Sequence, residues 1–216
     1  MSKITGLKKG KTREKRVNVF LDEKLAIGLL AEVALKEGLK VGQDLTESRL
    51  AALANADLRQ RCFNAATRFL AYRQRSESEI RQRLLRHGFD NDAIEKTLAR
   101  LKELGLVDDT AFARFWIENR AAFSPRSRRL AKLELKRKGL DADVIEQAVS
   151  AIDDRDGAYR AALKWIRRLT AADYQAFRRR LGQYLGRRGF NYSVINEITE
   201  KVWEERRNDT GDCSAN

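Results

Sequence analysis

Apolar residues recur at matching offsets in three stretches of the chain, each set around a glycine. Leu84, Leu135 and Leu185 stand four residues before Gly88, Gly139 and Gly189, and Ile80, Ala131 and Leu181 stand eight before them. Six residues after the glycines come Ile94, Ile145 and Ile195; thirteen after come Leu101, Ile152 and Val202. The tenth place holds Leu98, Val149 and Thr199, the last a weaker match. These offsets keep a period near 3.6, so each glycine separates two amphipathic helices. Another apolar-striped segment precedes each pair, at residues 63–72, 112–117 and 159–169. The pattern predicts a three-helix unit written three times, at a spacing of 51 and then 50 residues between glycines.

The turns share their chemistry. His87-Gly88-Phe89-Asp90, Lys138-Gly139-Leu140-Asp141 and Arg188-Gly189-Phe190-Asn191 each end a helix on a basic residue. Glycine then enters the left-handed region without a Cβ penalty, and the apolar residue after it packs back as in a Schellman ending. The Asp or Asn beyond caps the next helix. A period of this size points to a tandem helical array rather than a layered domain.

Outside the repeats the pattern changes. Residues 1–16 carry seven Lys or Arg against one Glu and read as a basic flexible arm. Residues 16–21 and 25–30 alternate with β-branched and apolar side chains, predicting a hairpin turning at Asp22-Glu23-Lys24. A short helix over residues 31–37 supports it, ending at Gly38. Thr46 caps a longer helix, expected to break near Asn55-Ala56-Asp57. Ser124 followed by Pro125 reads as a helix start, while residues 105–109 end one helix and cap the next. The implied segments are an arm at 1–16, a hairpin with helices at 17–58, three-helix repeats at 59–108, 109–154 and 155–207, and a disordered tail at 208–216. The fold class is mainly α, an elongated tandem array of three three-helix repeats after a small β-hairpin and helix segment.

Charge narrows the partners. Lys and Arg total 44 against 31 Asp and Glu, a net charge of +13, which favours an anionic partner: nucleic acid, an acidic protein face or anionic lipid. No apolar run is long enough to span a bilayer, and the basic N-terminus lacks the apolar core of a secretory signal. Two cysteines, Cys62 and Cys213, make no disulfide framework and suit a reducing, cytoplasmic setting.

Candidate catalytic chemistry is thin. The one histidine, His87, sits in the last turn of a helix, where Lys138 and Arg188 stand in the other repeats, so it serves the helix end. Neither cysteine has a CxxC partner, and Asp108-Asp109 fits helix capping better than metal binding. The sequence implies no enzyme and no cofactor.

Arginine and lysine carry the functional signal instead. The second helix of every unit is basic: Arg81, Arg83 and Arg86; then Arg128, Arg129, Lys132, Lys136, Arg137 and Lys138; then Arg178, Arg179, Arg180, Arg187 and Arg188. Solvated helix faces account for any single run. They account less well for a bias shared by three equivalent helices.

Several segments resemble the RecX family, regulators of the RecA recombinase. The resemblance rests on Ser76 to Ile80 with Leu84, Gly88, Phe89 and Ile94, on Leu104-Gly105-Leu106-Val107-Asp108-Asp109-Thr110-Ala111-Phe112-Ala113, and on the stretches around Gly139 and Gly189. It covers about residues 60–205. Residues 121–126 depart from it, lacking the glycine often found before the middle basic helix. The resemblance implies three tandem three-helix units in an elongated, curved molecule lying along the groove of the RecA–single-stranded DNA filament. It also implies inhibition of ATP hydrolysis, co-protease activity and strand exchange. Beside it, the arginine clusters predict weak contact with bare single-stranded DNA, the lack of a long apolar run predicts no membrane association, and a monomer is expected. Two other classes remain open: a helix-turn-helix nucleic-acid-binding regulator and a scaffold without a DNA role. Against the first, Asp92, Asp143 and Glu197 lie near the starts of the helices after the turns, where they repel phosphate.

Overall fold

Alternation at residues 16–30 closes the expected hairpin, with strand β2 (Arg16–Leu21) antiparallel to β3 (Lys24–Leu30). Asp22 and Glu23 make the turn at φ 47° and 68°, the left-handed pair of a primed hairpin turn, achieved here without glycine. The computed structural model describes residues 2–10, 15–167 and 173–212. Two compact units divide the chain, Met1–Val107 and Asp108–Asn216.

In the first unit the N-terminus is not the mobile arm expected. Ser2–Lys9 forms strand β1, antiparallel to β2, and β4 (Asp44–Leu45) completes a sheet of order β3-β2-β1-β4. A register shift between Ile4 and Gly6 explains why the strand escaped a period-two reading. An irregularity of this kind brings Ile4 and Leu7, three apart in sequence, onto the same core.

Helix α1 (Ala31–Lys36) leads to α2 (Glu47–Leu70), capped by Thr46 Oγ1, which accepts from the Arg49 N–H at 3.2 Å. The break expected near residue 56 is absent, because the polar residue there is a fastener. Asp57 is 5% exposed and accepts the Leu30 N–H at 2.6 Å, with Arg16 at 3.5 Å and Arg61 at 3.9 Å. A buried carboxylate with such partners ties helix to sheet instead of ending the helix. Helix α2 therefore serves two cores. Leu53 joins Ile4, Val19 and Leu29 under the sheet, while Cys62 and Ala66 join Ile80, Leu84, Ile94 and Leu98. Those last residues come from α3 (Glu77–Arg86) and α4 (Asn91–Glu103).

The second unit holds α5 (Asp109–Phe123), α6 (Arg128–Arg137) and α7 (Ala142–Val149), then α8 (Asp154–Ile166), α9 (Tyr174–Arg187) and α10 (Tyr192–Asp212). Each triplet has its own core, around Phe112, Leu135 and Val149 in one and Phe177, Leu181 and Leu185 in the other. The three glycine turns share one geometry. Gly88, Gly139 and Gly189 have φ of 81°, 76° and 87°. Phe89, Leu140 and Phe190 donate back to Leu84, Leu135 and Leu185 at 3.3, 3.4 and 3.4 Å, closing Schellman endings. Asp90 and Asn191 cap the following helices through their side chains, but Asp141 makes no such bond.

Three further expectations are corrected. Ser124 and Pro125 do not start α6; Ser124 ends α5, and Ser127 caps α6, accepting from the Leu130 N–H at 3.1 Å. The start is displaced because the Ser127 N–H donates to the Arg188 carbonyl at 3.0 Å, so the neighbouring repeat fixes where the helix begins. The expected polar tail is helical in its backbone as far as Asp212, as α10 propagates past the last core residue; Cys213 and Leu169 lie outside the described residues. The apolar stripe of α10 is also rotated. Val194 and Ile198 are buried with Thr199 and Val202, leaving Ile195 half-buried, unlike its counterparts Ile94 and Ile145.

Candidate nucleic-acid interface

Helices α3, α6 and α9 each end at a Schellman glycine, so counting back from it superposes the three by residue. Seven before the glycine are Arg81, Lys132 and Gly182; seven after it, on α4, α7 and α10, are Glu95, Glu146 and Asn196. In the first repeat Arg81 binds Glu77 at 3.0 Å and reaches Glu95 through both terminal nitrogens. Burial pushes the Glu77 carboxyl up, but hydrogen bonds from Lys102 and Arg81 outweigh it and leave it below its ordinary range. In the second repeat Lys132 pairs with Glu146. In the third, glycine and asparagine replace the pair. Arg178 leans across instead, its Nη2 3.4 Å from the Tyr192 hydroxyl and 3.5 Å from Asn196 Oδ1.

The fourteen basic candidates thus fall into distinct settings. Arg86, Arg128, Arg129, Lys136, Arg137, Arg178, Arg179, Arg180 and Arg187 are exposed. Arg81 and Lys132 bridge their helix pairs. Arg83 is exposed with its guanidinium 5.5 Å from the Phe69 ring centre, and the Lys138 ammonium lies 4.9 Å from that of Trp116. Arg188 is structural. Its Nη1 donates to Ser124 Oγ at 2.8 Å and to the Pro125 carbonyl at 3.1 Å, and its guanidinium covers Tyr184 at 4.5 Å. It joins the second repeat to the third.

Between α6 and α7 runs a groove of about 450 Å³. Leu130, Leu133, Leu140 and Ile145 form its floor, and Arg129, Lys132 and Lys136 stand along it. Leu133 is 41% exposed, a large apolar side chain left uncovered beside cations. A second groove, between α2 and α3, brings Arg61 and Arg68 beside Arg83, His87, Phe69 and the 86% exposed Tyr72. Sequence reading missed Arg61 and Arg68, although their seven-residue spacing places them on one face of α2. His87 caps the end of α3, as its place before Gly88 implied. Burial pushes the Cys62 thiol up, the setting of an inert core cysteine. Among the described residues no cluster of three His, Cys, Asp or Glu side chains is placed to hold a metal ion, and no helix is long and apolar enough to cross a membrane.

Comparison with known proteins matches this architecture piece by piece. Residues 2–46 match the family model for the regulatory protein RecX N-terminal domain. Residues 62–101, 108–149 and 153–199 match those for the first, second and third RecX three-helix domains. A regulatory protein RecX from Clostridium botulinum strain Alaska E43 is 32% identical over 207 residues, covering 94% of this chain and 97% of that one. One from Bacillus licheniformis is 30% identical over 214 residues, covering 98% and 81%. A crystal structure of regulatory protein RecX superposes with a TM-score of 0.68 at 26% identity, covering 93% of this chain and all of the other. That of RecX from Lactobacillus salivarius gives 0.58 at 25% identity, covering 68% and 97%. With its strand-bearing N-terminal segment and all three helical domains matched in order, the chain belongs to the RecX family of regulatory proteins.

Proposed function

We propose that the protein regulates RecA by binding in the groove of the RecA–single-stranded DNA filament and inhibiting ATP hydrolysis, co-protease activity and strand exchange. The observation that carries this reading is the α6–α7 groove, with an apolar floor at Leu130, Leu133 and Ile145 beside Arg129, Lys132 and Lys136. Burying exposed leucine gives affinity, and the surrounding cations select an acidic partner face. That combination suits a protein surface better than bare DNA, whose phosphates gain nothing from leucine.

The test is the ATPase rate of RecA on single-stranded DNA, titrated with this protein. Wild type lowers the rate. Replacing Arg128, Arg129 and Lys132 together with Ala weakens inhibition at limiting protein concentration. The same variant changes stability little, since surface substitutions contribute within about 0.5 kcal/mol each and the exposed Lys132–Glu146 pair adds at most about 1 kcal/mol. Normal inhibition by the triple variant would refute the assignment of this face.

A further inference from the structure

The α9–α10 groove of the third repeat differs in kind from its two counterparts. Where the first repeat crosses the helix pair with Arg81–Glu95 and the second with Lys132–Glu146, the third has Gly182 and Asn196. Position by position it also loses two leucines and one cation of the second: Leu133 corresponds to Gln183, Leu130 to Arg180 and Lys136 to Gly186. What remains is a groove of about 450 Å³ holding Arg178, Arg179, Tyr192 and Asn196 over Gly182 and Ile195. Ile195 keeps the floor position that Ile145 holds in the second repeat, and a Cβ on Gly182 would meet its Cγ2 at 3.6 Å.

We infer that this groove binds single-stranded nucleic acid, with Arg178 and Arg179 on phosphates and the Tyr192 ring under an unstacked base. The inference rests on the proposed contact with the DNA filament for its setting, but it is a property of this chain alone. Charge comes first: among the described residues no carboxylate lines the groove. Glu197, next along α10, is engaged by Arg155 of α8 at 3.1 Å, and Asp173 is occupied in capping α9. Aromatic surface comes second. Tyr192 is 72% exposed at the start of α10, whereas Tyr174 is held against Trp203 with ring centres 5.5 Å apart. Arginines that track a backbone beside an open aromatic ring are the elements of single-strand recognition. An acidic peptide would find no leucine floor here to anchor it. A duplex keeps its bases stacked and offers Tyr192 no face.

The experiment measures binding of a short fluorescent oligothymidylate by anisotropy, with the full chain and no RecA, at low salt. Arg178→Ala with Arg179→Ala, and Tyr192→Ala alone, each weaken binding about tenfold, while Tyr192→Phe, which keeps the ring, stays within about twofold. Gly182→Lys with Asn196→Glu rebuilds the pair of the second repeat and loses binding as the arginine variant does. Arg160→Ala with Lys164→Ala removes the same charge from α8, leaves the Arg155–Glu197 pair in place and changes binding less than about twofold. Melting temperatures close to wild type establish that the variants fold. The inference is overturned if the α8 variant loses as much as the groove variants or if Tyr192→Ala binds normally. Equal affinity for a duplex of the same length, or equal competition by polyglutamate, overturns it as well. Because RecA is absent, these outcomes are separate from the ATPase test, which can succeed or fail on its own.

Discussion

Gly189 has a φ of 87°, and a Cβ built there would lie 2.6 Å from Ser127 Oγ and 2.8 Å from Leu130 Cβ. Gly88 has nearly the same φ, 81°, with nothing within 4 Å of its Cβ position. The two glycines separate backbone strain from close approach. Gly88→Ala should lose about 1–2 kcal/mol from the left-handed conformation alone. Gly189→Ala should lose about 1–3 kcal/mol more, because Ser127 and Leu130 belong to a packed contact between repeats. Chemical denaturation of both variants checks this, and equal losses would contradict the close-approach account. A second residue-scale outcome concerns Tyr192. The hydrogen bond with Asn196, and then the Arg178 charge, hold its phenol below the ordinary tyrosine range. By contrast, donation to Glu205 at 3.0 Å pushes the Tyr159 phenol up. A positive charge favours the phenolate, so Arg178→Ala should move the Tyr192 titration to higher pH. The difference between absorbance titrations with and without Tyr192→Phe isolates that one phenol; a midpoint that stays put or falls would contradict the cause given.

At the scale of elements, α2 decides how the first unit holds together. Asp57 sits at its centre, receiving the Leu30 N–H where β3 passes into α1. Asp57→Ala leaves that buried donor without its acceptor and should destabilise the unit by about 1–3 kcal/mol. Hydrogen exchange should show the loss in β2, β3 and α2, and unchanged protection there would remove Asp57 from its fastening role. The same residue shows where sequence reading succeeds and where it stops. Schellman glycines, Thr46 as a cap and the hairpin turn were legible because each is settled within a few neighbouring residues. Asp57 as a fastener was not, since its partners lie 27 and 41 residues away and local propensity reads a polar Asn-Ala-Asp as a break. Strand β1 was hidden by its register shift, and the start of α6 by a bond to Arg188 from the next repeat. In the candidate interface the basic helices were legible as composition. Which cations are exposed, which bridge helices and which staple repeats depends on contacts that no single-segment pattern contains.

Over the whole molecule the charge of +13 is not one uniform field. Carboxylates meet cations across the helix pairs of the first two repeats, Glu77 with Lys102, Glu95 with Arg81 and Glu146 with Lys132, whereas among the described residues none lines the groove of the third repeat. Two modes of binding should therefore differ in their response to salt. Each phosphate neutralised on a single strand contributes about 0.7 to the slope of log affinity against log salt. Arg178 and Arg179 together should give bare DNA a slope of about −1.4 from this groove, steeper where Arg180 and Arg187 join. Filament binding through the α6–α7 groove adds apolar burial at Leu130 and Leu133, which salt does not screen. Its affinity should fall less steeply over the same range, and Arg178→Ala with Arg179→Ala should flatten the bare-DNA slope while leaving the filament slope nearly unchanged. Measuring both slopes from low to physiological salt checks the separation. Identical slopes, flattened alike by the two substitutions, would mean that a single cationic surface serves both partners.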